Sequence, residues 1–520
     1  MDNSLIPGLE IHHEHKKWRE HTDKTRLEGG SLINACSKRC LVVESIAVKP
    51  HLETAGELAL CLRDAGHEVA FCYVGNDLPR SGWELPRVAK MMGGSLARRV
   101  RRFEAILKRE GIRVLPPPSL DDVCLAAARE WAERFRGDLE TLKSYRFGEA
   151  MLGMGVASSL ISWTGNSLFD PGSQTILTYD CLEAAALTFE RTRTVLATFL
   201  PTELFTFNGR FATCKAIVET ARQLEIPVRL HERGATFGQY EIYDDSPHDL
   251  GYVNSRIKAA WEAAAPSVRE KIGHSFFRRR RGGDGVGWYS FTVRQKQDLI
   301  PSRVGGKRRV VYFSSSDDEY AATTDGLTRG PWPDQLSATR ALVNASAAQP
   351  DIELMLRIHP NLVNKSAAER SRWHAWNGPN LTLIPANSPV DSYALCDSAD
   401  IVVVFGSTMG VEAAYWGRPV ILLGPSVYAG MGIASEPNNS DELAALLVPV
   451  VPARAADMSA CLAFGHYCMT FGTDYRYYAP ESLMEGRFLG DRLAWDPFPV
   501  RMLRRLGAGR LYNRMRQRWR

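Results

Sequence analysis

The chain has no CxxC pair, no long apolar run and no Asp-x-Asp triplet, and each absence excludes something. Its ten cysteines (Cys36, Cys40, Cys61, Cys72, Cys124, Cys181, Cys214, Cys396, Cys461, Cys468) form neither a CxxC pair nor a ladder of fixed spacing. A zinc module or a disulfide framework is therefore not expected. Several of these cysteines lie inside apolar patterns, as the reduced, buried thiols of a cytoplasmic protein do. No segment approaches the ~18 consecutive apolar residues of a membrane-spanning helix. The polar start, Met1-Asp2-Asn3-Ser4, lacks the apolar centre of a signal peptide, so no export is expected. Neither an internal repeat nor a low-complexity tract is present.

What is there is length and a lopsided charge. A chain of 520 residues has room for about two or three domains, each with a full core. The net charge of +5 is concentrated at one end: residues 501–520 hold eight arginines and no acid, which leaves 5 − 8 = −3 for the rest. Leu511, Met515 and Trp519 recur at four-residue spacing among those arginines. A helix there has an apolar stripe on a cationic cylinder, which suits an anionic inner-membrane surface. The bland reading, a terminal helix packed on its neighbour, stands equally. Nucleic acid is not an expected partner, because the body is slightly acidic and carries no recognised motif. His12, His13 and His15 around Glu14 could hold a metal, although a polar irregular leader over 1–38 is the commoner explanation.

From residue 39 the chain alternates strands and helices, which predicts βαβ units and parallel sheets, an α/β fold of two Rossmann-like domains facing a cleft. Strands are expected at 40–44, 68–74, 112–115, 204–207 and 227–230. His51 sits in the loop after the first, and Gly66-His67 stops the first helix. Ile300 to Arg309, rich in Pro, Gly and basic residues, reads as the interdomain linker. A second set of strands is expected at 310–313, 353–358, 381–384, 401–405 and 420–424. The expected domains are 39–300 and 301–480, followed by a basic tail over 481–520.

The most informative stretch is the strand Ile401–Phe405, ending on Gly406-Ser407-Thr408 and feeding a helix that opens Met409-Gly410-Val411-Glu412. A helix start presents free N–H groups and a positive dipole end to an anion. Ligands of open parallel sheets bind beyond the carboxyl ends of the strands. Ser314-Ser315-Ser316, His359-Pro360-Asn361, Ser392-Tyr393 and Ser407-Thr408 all fall at or near such ends. Together they predict a site for a phosphate-bearing ligand, with Ser314, Ser315, His359, Pro360, Asn361, Ser407, Thr408 and Gly410 lining it. Ser392 and Tyr393 are candidate neighbours of base or sugar, and Glu412 a candidate partner for ribose hydroxyls. Each has a bland alternative: serine loops are usually turns, His-Pro often just ends a strand, and Tyr393 suits packing. Asp317-Asp318-Glu319 reads as a helix-start charge cluster rather than a metal site, and metal independence is expected.

Over Arg357 to Gly424 the chain resembles the donor-binding half of bacterial glycosyltransferases of the GT-B fold. It is most similar to those making capsular and other surface polysaccharides: the sialyltransferases, the Kdo transferases of capsule synthesis and the teichoic-acid polymerases. These share a His-Pro motif and a later Ser/Thr motif that contact the donor nucleotide. The resemblance carries those roles to His359, Pro360, Ser407 and Thr408. It implies a transferase that moves a sugar from a nucleotide-activated donor, a substrate rather than a cofactor, to a glycan or lipid-linked glycan acceptor. The chain lacks the short acidic D/E-D/E-G motif that holds the sialyltransferases' base. Candidates for that role come from strand ends of the first domain: Glu232 and His51 as base, Arg210 and Arg233 as holders of an anionic sugar or phosphate. An internal ion pair is the plain alternative for Glu232 and Arg233. Two rival readings share the architecture, a nucleotide-sugar epimerase and a non-catalytic polysaccharide-assembly subunit.

Overall fold

The computed structural model describes residues 37–81, 95–285, 295–317, 320–322, 330–448, 456–483, 485–493 and 502. Met1–Lys38 is a unit apart, and the fold below concerns Arg39 onward. The leader histidines, Asp318, Glu319 and, apart from Met502, the arginine-rich tail lie outside the described residues.

The first sheet is built on β1 (Arg39–Glu44), β2 (Glu68–Tyr73), β3 (Arg113–Leu115), β4 (Glu203–Phe207), β5 (Val228–Arg233), β6 (Gln239–Tyr243) and β12 (Thr473–Asp474). Its order is β12-β6-β5-β4-β1-β2-β3, with β3 through β5 parallel and β6 and β12 antiparallel. The second sheet is wholly parallel: β7 (Arg308–Phe313), β8 (Ile352–Arg357), β9 (Leu381–Ile384), β10 (Ile401–Val404) and β11 (Val420–Leu422), in the order β11-β10-β7-β8-β9. The central strands are buried along nearly their whole length, which is why they read as unbroken apolar runs. In both sheets the chain starts centrally, builds outward on one side, then returns to build on the other. Each sheet therefore has one crossover point, β1/β4 in the first and β7/β10 in the second. The two-lobed α/β fold read from the sequence is confirmed.

Local signals placed the helix stops correctly. Gly417 follows the Met409–Tyr415 helix with φ +80°, a conformation that side chains disfavour, and Arg418-Pro419 then leads into β11. Domain boundaries differ from expectation. Ile257, Phe276 and Phe277 lie in one core with Val311, Met355 and Val402, so the Leu250–Ala263 and Pro266–Arg281 helices already pack on the second sheet. The expected linker is part of that lobe, with Leu299 accepting a hydrogen bond from Asp391 and β7 beginning at Arg308. At the other end the chain returns. The Met458–Thr470 helix packs on Pro266–Arg281, after which β12, β13 (Tyr478–Ser482) and β14 (Glu485–Phe488) cover the first lobe. Glu57, fully buried, holds this return by accepting from the backbone N–H groups of Arg476, Tyr477 and Tyr478 at 2.6, 2.7 and 2.9 Å. Neither crossing had a local marker, since an amphipathic helix looks alike whichever sheet it covers.

Between β3 and β4 lies a helical insert that includes Gly153–Thr164 and the 25-residue Thr175–Phe199 helix. Its core takes in Ala322, just beyond the loop after β7.

Candidate functional site

At the second crossover point the strand ends are level. Phe313 pairs with both Arg357 and Val404, so the loops that follow β7, β8 and β10 leave side by side. This register brings Ser314 to His359: the Ser314 hydroxyl accepts from the His359 backbone N–H at 2.8 Å. The Asn361 amide reaches Ser316 Oγ at 3.3 Å. Pro360 opens a short 3-10 turn, and within it the Asn361 N–H donates to His359 Nδ1 at 3.2 Å. A neutral His359 so held carries its proton on Nε2, the form that donates to an oxyanion. Ser315 is 6% exposed, its N–H bound to Gln335 Oε1 at 2.6 Å, and its hydroxyl has no partner among the described residues. A buried orphan hydroxyl costs free energy unless a ligand or water meets it.

The Gly406-Ser407-Thr408 turn is held from behind by two tyrosines, Tyr320 Oη donating to the Gly406 carbonyl at 3.1 Å and Tyr428 Oη to that of Ser407 at 2.6 Å. Thr408 is exposed and Ser407 half-buried, with Ser407 Oγ accepting from the Met409 N–H at 3.3 Å. The helix it opens, Met409–Tyr415, is only seven residues long and receives no side-chain cap from Thr408. Its dipole is correspondingly small, so hydroxyls and His359 are the main polar groups this rim presents. Ser314, Ser315, His359, Pro360, Asn361, Ser407 and Thr408 thus share one rim.

Four predicted residues serve the protein itself. Glu412 is 1% exposed and bound on both oxygens, by Tyr393 Oη and by Arg280 at 3.3 Å. Tyr393 is thereby turned into the lobe. Ser392 exchanges hydrogen bonds with Gln295 at 2.8 and 3.0 Å. A Cβ on Gly410 would come within 2.4 Å of Tyr428 Oη, so this glycine makes room for the tyrosine that braces the turn. Which way such side chains face is set by what packs on their helix, and neighbouring residues alone do not mark it.

Asp317, at the end of the serine loop, accepts from Trp373 Nε1 at 2.8 Å and from Gln335. Burial, then the neighbouring Glu369 carboxylate, pushes it up to about 7. Glu369 in turn binds the Ser167 hydroxyl at 2.9 and 3.1 Å and its N–H at 3.1 Å, across the lobes. The Ser366 N–H meets the Gly165 carbonyl at 3.1 Å, so the helical insert of the first lobe touches the second lobe beside the serine loop.

On the first rim, His51, Arg210, Glu232 and Arg233 do fall at the carboxyl ends of β1, β4 and β5, as expected from a parallel arrangement. The hub is the residue that follows β4. Asn208, at φ +59°, donates its amide to Glu232 Oε2 at 2.5 Å and to His248 Nε2 at 3.0 Å, and accepts from the Arg210 N–H at 3.1 Å. Arg210 Nε donates to Ser158 Oγ at 2.6 Å, on the insert helix that Ala322 also packs against. Glu232 is half-buried, its other oxygen taken by the Arg233 N–H at 3.0 Å. Burial and then Arg210 lower His248 to about 3, so it is neutral at physiological pH. No periodicity marks His248, which lies in the turn Asp245-Ser246-Pro247-His248-Asp249.

His51 is 8% exposed, its ring 3.7 Å from that of Phe207. Burial, then Arg233, His231 and Arg99, hold it well below the usual histidine range. Behind it the fully buried Glu44 pairs with His231 Nε2 at 2.6 Å, and burial raises Glu44. A base works best with a pKa near the working pH, so the depressed His51 is a weak proton acceptor. Among the described residues no three His, Cys, Asp or Glu side chains gather as a metal site, and no helix is long and apolar enough to cross a membrane.

Residues 330–461 match the family model described as "Capsule polysaccharide biosynthesis protein", a stretch containing β8 to β11 and the His359 and Ser407 loops. The resemblance to proteins of capsule polysaccharide synthesis is thus borne out over that stretch. No curated protein matches the chain. Among solved structures it is similar to the beta Kdo 2,4 transferase of Thermosulfurimonas dismutans KpsC, at 14% identity over 51% of this chain and 78% of that one (TM-score 0.35). The UDP-GlcNAc 2-epimerase of Neisseria meningitidis, bound to UDP-GlcNAc, matches at 10% identity over 82% and 97% (TM-score 0.26). The glycosyltransferase SnogD of Streptomyces nogalater matches at 12% identity over 83% and 95% (TM-score 0.22).

Proposed function

We propose that this protein is a glycosyltransferase of surface-polysaccharide synthesis, moving a sugar from a nucleotide-activated donor to a glycan or lipid-linked glycan acceptor. The observation that carries the reading is the level set of Ser314, Ser315, His359, Ser407 and Thr408 at the β7/β10 crossover. The family match over 330–461 supports it, because it includes both the His-Pro and the Ser/Thr loops. The donor's phosphates take the hydroxyls and His359 Nε2–H, which neutralise the charge that develops on the leaving group. The acceptor enters from the first rim, where Glu232 removes its hydroxyl proton and Asn208 keeps that carboxylate aimed. Arg210 and Arg233 steady anionic groups of either substrate. Closure of the lobes excludes water, so that transfer outruns hydrolysis. The leaving group is stabilised by protein donors alone, without a metal, and activity survives chelation. The enzyme works in the cytoplasm, at the inner membrane surface through residues 501–520.

The test is a thermal-shift screen with CMP, CDP, UDP and GDP, since a ligand stabilises only by binding the folded state. One nucleotide raises Tm, and His359→Ala and Ser407→Ala each reduce that rise. Unchanged affinity in both variants rejects the site. Isomerisation of UDP-N-acetylglucosamine supplied alone replaces the transferase reading with the epimerase.

A further inference from the structure

The helix Leu96–Arg109 carries its charge on one side. Its exposed positions are Ala97, Arg98, Arg101, Arg102, Ala105, Lys108 and Arg109, five of these seven cationic, and its only acid, Glu104, is half-buried. The buried side, Val100, Phe103, Ile106 and Leu107, packs on the first sheet. Arg98 and Arg101 make no ion pair among the described residues, and Arg102 reaches only Asp491 at 3.3 Å. The body of the protein is otherwise slightly acidic, so this face is a local feature.

Two contacts give it direction. Arg99, alone among the helix's arginines, points inward: Nε donates to the Ala47 carbonyl at 2.8 Å, Nη2 pairs with Glu53 at 2.6 Å, and Nη1 donates to the Leu493 carbonyl. Ala47 lies in the loop that leads into the His51–Asp64 helix, so the Leu96–Arg109 helix is tied to the rim where the acceptor is read to enter. Leu493 is where the returning chain leaves the described lobe, 8 residues before the arginine-rich segment begins at Arg501.

We infer that the exposed face of the Leu96–Arg109 helix is a docking surface for anionic lipid headgroups, acting with the basic segment that follows Leu493. The stripe from Arg98 to Arg109 runs for about 16 Å along one side of a straight helix, which matches a planar array of headgroups. Its one aromatic, Phe103, is buried, so it offers no platform for stacking bases. Docked this way, the protein holds the His51 and Glu232 rim near the bilayer, where a lipid-linked acceptor resides. This deepens the membrane reading of residues 501–520 and rests on it.

The test is co-sedimentation of the full chain with vesicles of phosphatidylcholine alone or containing phosphatidylglycerol. Three variants are compared: Arg98→Glu/Arg101→Glu/Lys108→Glu; a charge-matched control in exposed positions elsewhere, Lys258→Glu/Arg278→Glu/Arg340→Glu; and Arg514→Glu/Arg516→Glu/Arg518→Glu. Each basic residue near an anionic surface is worth about fivefold in partitioning. The helix variant is therefore expected to bind the anionic vesicles on the order of a hundredfold more weakly, and the control to lose far less. Added salt weakens wild-type binding as well. Loss in the segment 514–518 variant with none in the helix variant overturns the helix surface while leaving the membrane reading intact. Equal loss in helix variant and control, absence of wild-type binding, or equally tight, equally variant-sensitive binding to duplex DNA overturns it too. The nucleotide-induced rise in Tm is unchanged in the helix variant, which separates this outcome from failure of the transferase reading.

Discussion

At the first crossover the strand ends carry ionisable side chains: Glu44, His231, Glu232, Arg210 and Arg233, most of them bound to one another or to Asn208. At the second they carry hydroxyls, amides and one histidine, with backbone held by tyrosines, and the cation at the end of β8, Arg357, is buried and spent on the Pro385 and Ser388 carbonyls. The topology is the same and the chemistry is not. A rim of small neutral donors suits a ligand that brings its own charge, because nothing of the protein's must be neutralised or desolvated first. A rim of coupled charges suits proton transfer, where the protein must supply a group of tuned basicity.

The sharpest way to break this contrast is Glu232→Gln. If the charged rim does the proton transfer, kcat for transfer falls by about 10²- to 10⁴-fold, while the nucleotide-induced shift in Tm is kept. Loss of both together would mean that Glu232 supports the fold or the donor site instead. Gly410→Ala probes the neutral rim through its scaffold. The added methyl meets Tyr428 Oη at 2.4 Å, and overpacking of this kind costs about 1–3 kcal/mol, read in denaturant melts. His359→Ala removes one donor to phosphate and is expected to weaken nucleotide binding by about tenfold, with little change in the stability of the free protein.

The smallest effect concerns pH and the seam between the rims. Asp317 is raised to about 7 by burial and by Glu369. Its folded value is above its unfolded one, so the proton stabilises the fold at low pH. That contribution is fully present below about pH 4 and is lost as pH rises through 7. Asp317→Asn keeps the protonated form's hydrogen-bonding shape without titrating. Relative to wild type it should be more stable at pH 8 than at pH 5, by on the order of 1 kcal/mol. A difference that stays flat between those pH values would show that Asp317 is not protonated in the folded protein.

Much of the second rim was legible because its signals are local. A buried strand followed by Ser-Ser-Ser, His-Pro or Gly-Ser-Thr marks a strand end wherever it occurs, and parallel pairing then brings the ends level. The inward turn of Ser392, Tyr393, Gly410 and Glu412 was not legible, because facing is decided by what packs on the helix. For Glu412 that is Arg280, 132 residues away in sequence. The first rim was legible as an edge but not as a network. Asn208 carried no signal of its own, and His248 had no pattern at all until the chain after β6 brought it within 3.0 Å of Asn208.

Neighbouring residues were enough to read two α/β lobes, their central strands and the loops of the second rim, since burial on both faces of a parallel strand and the chemistry of strand ends are local signals. Only the tertiary structure decided where the lobes begin and end. The same is true of the carboxylate that stays half-open as Glu232 does, and of the arginine on Leu96–Arg109 that turns inward. Those outcomes depend on which distant surfaces meet, and a contact between residues hundreds of positions apart, such as Glu57 with Tyr478, leaves no periodicity in either partner.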